Sequence, residues 1–207
     1  VIIDAVKISR QTYQRMLTWV INKVTKVIEF VGLLTLSFFW LHDVVLSLLG
    51  MALLVFANDF VTMSLATDNV KYTRNPNKWN VKNITLASLV PALLLVVEGT
   101  IVILMGVEYF HLEWEKLRTL VMLNLIFNSQ FRVLVVRERR HFWSSRPGRE
   151  LLILSTATII GFALLGVYGI FVPSLTLHEV LTVLGFSALF TLGIDLPKYS
   201  MFRRLEL

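Results

Sequence analysis

Residues 84–107 read ITLASLVPALLLVVEGTIVILMGV, and this stretch decides the class of the fold. It contains one charged side chain, Glu98. The hydrocarbon core of a bilayer is about 30 Å thick, and about 20 apolar residues in a helix that rises 1.5 Å per residue cross it. The stretch therefore predicts a membrane-spanning helix.

Five further stretches of the chain have the same character. The six predicted spans are residues 19–41, 44–66, 84–107, 117–136, 151–172 and 175–196. Over all 207 residues the chain is 56% hydrophobic and 16% charged, with a mean hydropathy of +0.69. This composition excludes a water-soluble globular fold and a disordered chain. We expect an all-α membrane protein in which residues 1–207 form one transmembrane domain.

The distribution of basic residues predicts the orientation of the spans. All but two of the 20 Lys and Arg residues, including the six arginines between residues 132 and 149, fall on one side of the spans. The exceptions are Lys116 and Arg118. Because basic loops stay in the cytoplasm, both termini are predicted to be cytoplasmic. The net charge of +6 then indicates topology, and we expect a lipid bilayer and no nucleic acid as partner.

The first predicted helix is longer than a bilayer requires. Residues 1–40 contain no proline and a single glycine, Gly32, and their apolar side chains recur at helical spacing. A continuous helix of this length measures about 60 Å. We therefore expect residues 1–18 to project as a cytoplasmic stalk and residues 197–207 to form a cytoplasmic tail. The stalk either lies along the lipid headgroups or docks against a partner. Because the sequence starts at Val1, within this series of apolar side chains, we expect the chain to be a piece of a longer polypeptide.

Carboxylates inside the spans are candidate functional groups, because a charge at the bilayer centre costs about 2.5–3.5 kcal/mol on insertion scales. Asp59 lies about 10 Å from the cytoplasmic end of its span by helix rise and is the predicted ion or proton carrier. Asn58 precedes it and is the predicted hydrogen-bond partner. The alternative is an uncharged Asp59 that only joins two helices through hydrogen bonds.

Glu29 and Glu98 suggest two further roles. Glu29 is predicted near the level of Asp59, where two facing carboxylates would share a proton or hold a metal cation; otherwise it faces lipid or another helix. Lys26, three residues earlier, lies on the same helix face and could supply a positive charge.

Glu98 lies deeper, at the predicted level of Asn124 and Asn128. These two residues are four apart and share one helix face. We expect Glu98 to accept a hydrogen bond from one of them, either as a structural clamp or as part of an exit pathway. The chain has no cysteine, and its histidines lack the spacing of metal ligands, so we expect no metal site.

Several short motifs in residues 9–79 occur together in a known family. They are Ser9-Arg10, Gln14-Arg15-Met16, Asn58-Asp59, Met63, Asp68, Val70-Lys71 and Trp79. With these motifs the chain resembles the membrane half of P-type ATPases, specifically the plasma-membrane proton-pump group. The detailed match covers about a third of the chain, and the later spans agree in number, length and orientation.

The resemblance implies that the six spans are helices five to ten of a pump. In that family the fifth helix is a stalk that leaves the phosphorylation domain, and the next span carries the Asn-Asp pair of the ion site. Glu29 is a departure, since the proton pumps carry an arginine at this position. The sequence lacks the Asp-Lys-Thr-Gly-Thr and Thr-Gly-Glu loops, a nucleotide-binding domain and the first four spans. It is therefore expected to hold no catalytic residue and no cofactor of its own.

The sequence thus predicts the transport half of an ATP-driven proton pump in the plasma membrane. Its partners would be the absent cytoplasmic domains, which would use ATP and Mg²⁺, together with the first four spans and protons or a small cation. One alternative keeps this architecture but transports magnesium or another metal cation. The other is a standalone six-span scaffold or regulatory subunit.

Overall fold

A computed structural model of the protein describes residues 2–70 and 80–205, and within these ranges all regular structure is helical. The helices are α1 (Ile2–Leu41), α2 (Leu48–Ser64), α3 (Val81–Leu104), α4 (Trp114–Val136), α5 (Arg149–Tyr168), α6 (Leu177–Gly193) and α7 (Asp195–Arg204). Six helical segments in the described residues are long and apolar enough to cross a membrane, which confirms the predicted all-α membrane fold. Lys71 and Trp79, two positions of the family motifs, lie outside the described residues.

The helix ends follow local capping chemistry. The Ser47 side chain accepts a hydrogen bond from the Gly50 N–H at 3.0 Å and so caps α2. A Thr176–Glu179 capping box begins α6. Residues 195–204, predicted as the end of the last span and a tail, instead form the separate helix α7.

Helix α1 is a single helix of 40 residues. Residues 2–9 are exposed, and the first buried side chain is Gln14. The unbroken helix therefore extends well beyond the bundle at its N-terminal side, which we call the stalk end of the bundle.

Helix α4 forms the centre of the bundle. It contacts each of the other six helices, and 17 of its 23 residues are buried. Because every neighbour packs around it, polar side chains on α4 necessarily meet side chains from the other helices. Any polar group buried there needs a hydrogen-bonding partner from one of those neighbours.

Helices α1 and α3 approach closely through two glycines. A Cβ atom on Gly32 would lie 2.9 Å from Val96 Cγ2, and one on Gly99 would lie 2.9 Å from Leu33 Cδ2. These distances are shorter than van der Waals contact, so each glycine provides the space that the facing side chain occupies.

We expect Gly32→Ala to destabilise the protein by about 1–3 kcal/mol, since Val96 is β-branched and has little rotamer freedom to move away. Gly161→Ala in α5 is the matched control, because nothing lies within 4 Å of its new Cβ. That control should be neutral or stabilising, by up to about 1 kcal/mol. Thermal unfolding of the full-length protein in detergent measures both variants, and equal midpoints would refute the close approach.

At the stalk end, a buried ion pair joins α4 to the segment after α2. Arg137 Nε donates to Asp68 Oδ2 at 2.8 Å, and both side chains are 1% exposed. The Gly148 N–H donates to Asp68 Oδ1 at 2.8 Å, and Arg15 Nε donates to the Asp68 carbonyl oxygen at 2.9 Å. We call these four residues the Asp68 cluster; its carboxylate joins the end of α4 to the start of α5, and its backbone carbonyl group binds α1.

A second buried cation caps the C-terminal end of α4. Lys198 Nζ on α7 donates to the carbonyl oxygens of Val135, Glu138 and Arg140 at 2.8–3.0 Å, and to Asp195 Oδ1 at 2.7 Å. An ammonium is favourable there because the last carbonyls of a helix carry partial negative charge. Lys198 falls within the predicted cytoplasmic tail, but its side chain is buried in the structure.

Candidate functional site

One face of α4 carries three polar side chains within the membrane-spanning region. Asn124, Asn128 and Arg132 follow each other at intervals of four residues, which places them on one side of the helix. All three residues are buried. They therefore meet the polar groups of the helices packed against α4.

Arg132 forms an ion pair with Glu29 of α1 inside the bundle. Their side chains are 2% and 3% exposed, and Arg132 Nε also donates to Asn22 Oδ1 at 2.8 Å. Asn128 Nδ2 donates to Glu29 Oε1 at 3.4 Å. Removing two charges from water is costly, so such a pair is maintained only where further hydrogen bonds complete it.

Glu98 of α3 is fully buried on the other side of Asn128. Asn124 Nδ2 donates to Glu98 Oε2 at 3.1 Å, and Asn128 Nδ2 donates to the same oxygen. The Ser187 hydroxyl of α6 lies 3.3 Å from Glu98 Oε1 and 2.7 Å from Asn124 Oδ1. The structure thus brings Glu98 together with both asparagines that the sequence pairs with it.

These contacts form one continuous chain of polar groups, which we call the interhelical network. Its members come from α1, α3, α4 and α6 and are Asn22, Glu29, Glu98, Asn124, Asn128, Arg132 and Ser187. Every member is buried. The arrangement contains two carboxyl groups bridged by the Asn128 amide and one guanidinium paired with Glu29.

Asp59 lies outside this network. It is on the exposed face of α2, where Lys23 Nζ of α1 donates to Asp59 Oδ1 at 3.0 Å. The side chains of Lys23 and Asp59 are 29% and 54% exposed. Glu29 and Asp59 therefore do not face each other. Of the two alternatives, Glu29 faces another helix, α4, and each carboxylate has its own cation.

Two further site expectations also need correction. Asn58 does not pair with Asp59, since it is buried and its Nδ2 donates to the Leu54 carbonyl oxygen at 2.8 Å. Lys26 does not pair with Glu29, because Arg132 occupies that carboxylate. Within residues 2–70 and 80–205 Lys26 forms no hydrogen bond or ion pair.

Sequence reasoning missed Arg132, Asn22, Lys23 and Ser187. Arg132 continues the four-residue spacing of Asn124 and Asn128, so that pattern could have identified it. Asn22 precedes Glu29 by seven residues, two helical turns, and thus shares its face. No local pattern distinguishes Ser187 from other small residues in apolar helices. Among the described residues, no three His, Cys, Asp or Glu side chains group together as metal ligands.

Comparison with known proteins gives relatives of one kind. A Methanocaldococcus jannaschii protein whose name places it among the cation-transporting ATPases is 26% identical over 209 residues, which cover 100% of this chain and 26% of that protein. Plasma membrane ATPase 1 of Schizosaccharomyces pombe is 30% identical over 165 residues, 72% of this chain and 17% of that protein.

A third relative, plasma membrane ATPase 1 of Candida albicans, is 28% identical over 159 residues, 72% of this chain and 17% of that protein. No family model matches the chain. The chain spans about a quarter or less of the length of the curated relatives it matches.

Proposed function

We propose that this chain, whose homologues are P-type plasma-membrane and cation-transporting ATPases, is the transport half of an ATP-driven proton pump. ATP and Mg²⁺ would act on cytoplasmic domains of the complete protein, and four further spans would complete the membrane part. The basic loops support cytoplasmic termini, and the names of the fungal relatives support a location in the plasma membrane.

The observation that carries this proposal is the Lys23–Asp59 ion pair on the open face of α1 and α2. Both residues lie within predicted spans, and their neighbours Val27, Val55 and Phe56 are exposed apolar side chains. Charges in contact with lipid are costly and are found where protein or a water-filled cavity covers them. We therefore infer that the additional spans cover this face and enclose Asp59.

In this arrangement Asp59 is the carboxyl group that takes up and releases the transported proton, and Lys23 is its counter-ion. A proton on Asp59 would release Lys23, and loss of the proton would restore the pair. The existing pairs favour a proton over a metal ion, because Glu29 and Asp59 already bind Arg132 and Lys23. A metal cation would have to displace a protein cation from either acid.

Asp59→Asn in the full-length protein is the test. Asparagine keeps the size of the side chain but cannot carry a proton, so we expect ATP-driven acidification of reconstituted vesicles to fall to the level of protein-free vesicles. Asp43→Asn is the matched control, since Asp43 is 51% exposed and pairs with Arg118 at the opposite end of the bundle.

Two outcomes would contradict the proposal. Undiminished transport by the Asp59→Asn variant would remove the carrier assignment. Phosphorylation that depends on a metal ion and disappears in Glu29→Gln would instead support transport of that metal.

A further inference from the structure

Three side chains around Glu98 form a closed ring of contacts. Glu98 Oε1 lies 3.3 Å from Ser187 Oγ, Ser187 Oγ lies 2.7 Å from Asn124 Oδ1, and Asn124 Nδ2 lies 3.1 Å from Glu98 Oε2. The contacts at 2.7 and 3.1 Å have the usual lengths of hydrogen bonds, and the Glu98–Ser187 contact at 3.3 Å is a long one. A ring of three hydrogen bonds requires three hydrogen atoms, one in each contact.

The neutral side chains supply two of these hydrogens. Ser187 has one hydroxyl hydrogen, and Asn124 can direct one amide hydrogen into the ring. If the Asn124 amide is turned over, its nitrogen faces Ser187 and its oxygen faces Glu98, and the count does not change. In both orientations one contact joins two oxygens without a hydrogen unless Glu98 is protonated.

The charge balance of the interhelical network also indicates one additional proton. Glu29 on α1 is paired with Arg132 on α4, and Asn128 donates to both Glu29 and Glu98. The α6 side chain that reaches Glu98 is the Ser187 hydroxyl, which carries no charge. Lys26, one turn from Glu29, acts on Glu29 from a distance but forms an ion pair with neither carboxylate. Among the groups in contact, two ionised carboxylates with one guanidinium would leave one buried negative charge without a paired cation, which a single proton removes.

We propose that Glu98 is a second proton-binding site. Of the two buried glutamates, Glu29 is ionised and Glu98 carries a proton, and the Glu98 O–H group donates a hydrogen bond to Ser187 Oγ. The proton lies on Oε1 in the amide orientation described by the distances above. A role of this proton in transport rests on the proposed pump function, whereas the presence of the proton on Glu98 does not.

Infrared difference spectroscopy of the full-length protein tests the presence of the proton. We expect the wild-type spectrum minus that of Glu98→Gln to show a C=O stretching band of a protonated carboxyl group, which shifts in heavy water. Ser187→Ala should keep this band but move it to higher frequency, because the O–H group loses its acceptor. The exposed Glu113→Gln variant should leave the band unchanged. Absence of the band from the wild-type spectrum would overturn the proposal.

Thermal unfolding provides a second readout, since a glutamine amide reproduces both the donor and the acceptor of a protonated Glu98. Glu98→Gln should therefore unfold at the wild-type temperature, whereas Glu29→Gln, which leaves Arg132 uncompensated, should unfold at a lower one. A large loss of stability in Glu98→Gln would indicate an ionised Glu98 and overturn the proposal.

Transport assays separate this inference from the proposed function. Loss of the infrared band together with loss of proton transport in a stable Glu98→Gln variant supports the transport role. Loss of the band with full transport overturns that role but leaves Asp59 as the carrier. Failure of the wild-type protein to transport protons would refute the pump function, while the infrared band would still report the proton on Glu98.

Discussion

Arg132→Met is expected to lower the free energy of unfolding by about 3–5 kcal/mol, because it leaves the Glu29 carboxylate buried without its cation. The variant also removes the donor to Asn22 Oδ1. Methionine is unbranched and apolar and fills the space of the arginine stem. The change should be measured by denaturant unfolding of the full-length protein in detergent micelles.

A double variant separates the lost charge from lost packing. Glu29→Leu combined with Arg132→Met replaces the whole ion pair by apolar side chains, which is often neutral or stabilising. The double variant should therefore be more stable than Arg132→Met alone. Lys26→Gln is the matched control, since Lys26 lies one turn from Glu29 but forms no ion pair within residues 2–70 and 80–205. A double variant as unstable as the sum of both single variants would contradict the buried pair.

Asp68→Asn is expected to cost a similar amount, about 3–5 kcal/mol, because it leaves the Arg137 guanidinium buried without a counter-charge. Arg137 also donates to the carbonyl oxygens of Asn69, Ser145 and Arg146 at 3.1 Å. The variant should therefore loosen the connection between α4 and α5. Hydrogen exchange should increase at the backbone amide of Gly148, which donates to the Asp68 carboxylate.

Asp43→Asn provides the comparison for this effect at the other end of the bundle. Asp43 and Arg118 form an ion pair at 3.3 Å, but their side chains are 51% and 24% exposed. Ion pairs in contact with solvent contribute about 0–1 kcal/mol. If Asp68→Asn and Asp43→Asn changed stability equally, burial would not explain the strength of the Asp68 cluster.

The six spans and the long first helix could be predicted from the sequence because each depends on local composition. Continuous apolar stretches determine which segments cross a bilayer, and an uninterrupted helical pattern without proline predicts the length of α1. The separate helix α7 could not be predicted in this way. Its position depends on Lys198, which reaches the carbonyl groups at the end of α4 and therefore needs a neighbour distant in sequence.

The direction in which each polar side chain points was harder to predict. Asn58 and Asp59 are adjacent in sequence, but successive residues on a helix point about 100° apart. Asn58 therefore faces the bundle while Asp59 faces outward. Hydropathy gives the depth of such residues but not the rotation of the helix around its axis, so the expected Asn58–Asp59 hydrogen bond was wrong.

The cation that pairs with Glu29 could not be deduced from proximity in sequence. Lys26 is three residues away, whereas Arg132 is separated from Glu29 by 103 positions. Arg132 lies near the end of a predicted span, where a basic residue is equally typical of the cytoplasmic side. The packing of α1 against α4 makes Arg132, and not Lys26, the cation that pairs with Glu29. The four-residue spacing of Asn124, Asn128 and Arg132 is the sequence pattern that indicates this contact.

The polar side chains of α4 that belong to the interhelical network are evenly spaced along the helix. Asn124, Asn128 and Arg132 are about 6 Å apart along the axis, close to the 5.4 Å pitch of an α-helix. Their spacing along α4 is therefore close to one turn of the neighbouring helix α1. A push on the N-terminal end of α1, transmitted over about 40 Å from Ile2 to Glu29, would move the Glu29 carboxylate away from Arg132 and along α4 towards Asn124. Helix α1 would then move along α4 in steps of about one helical turn and would not slide continuously.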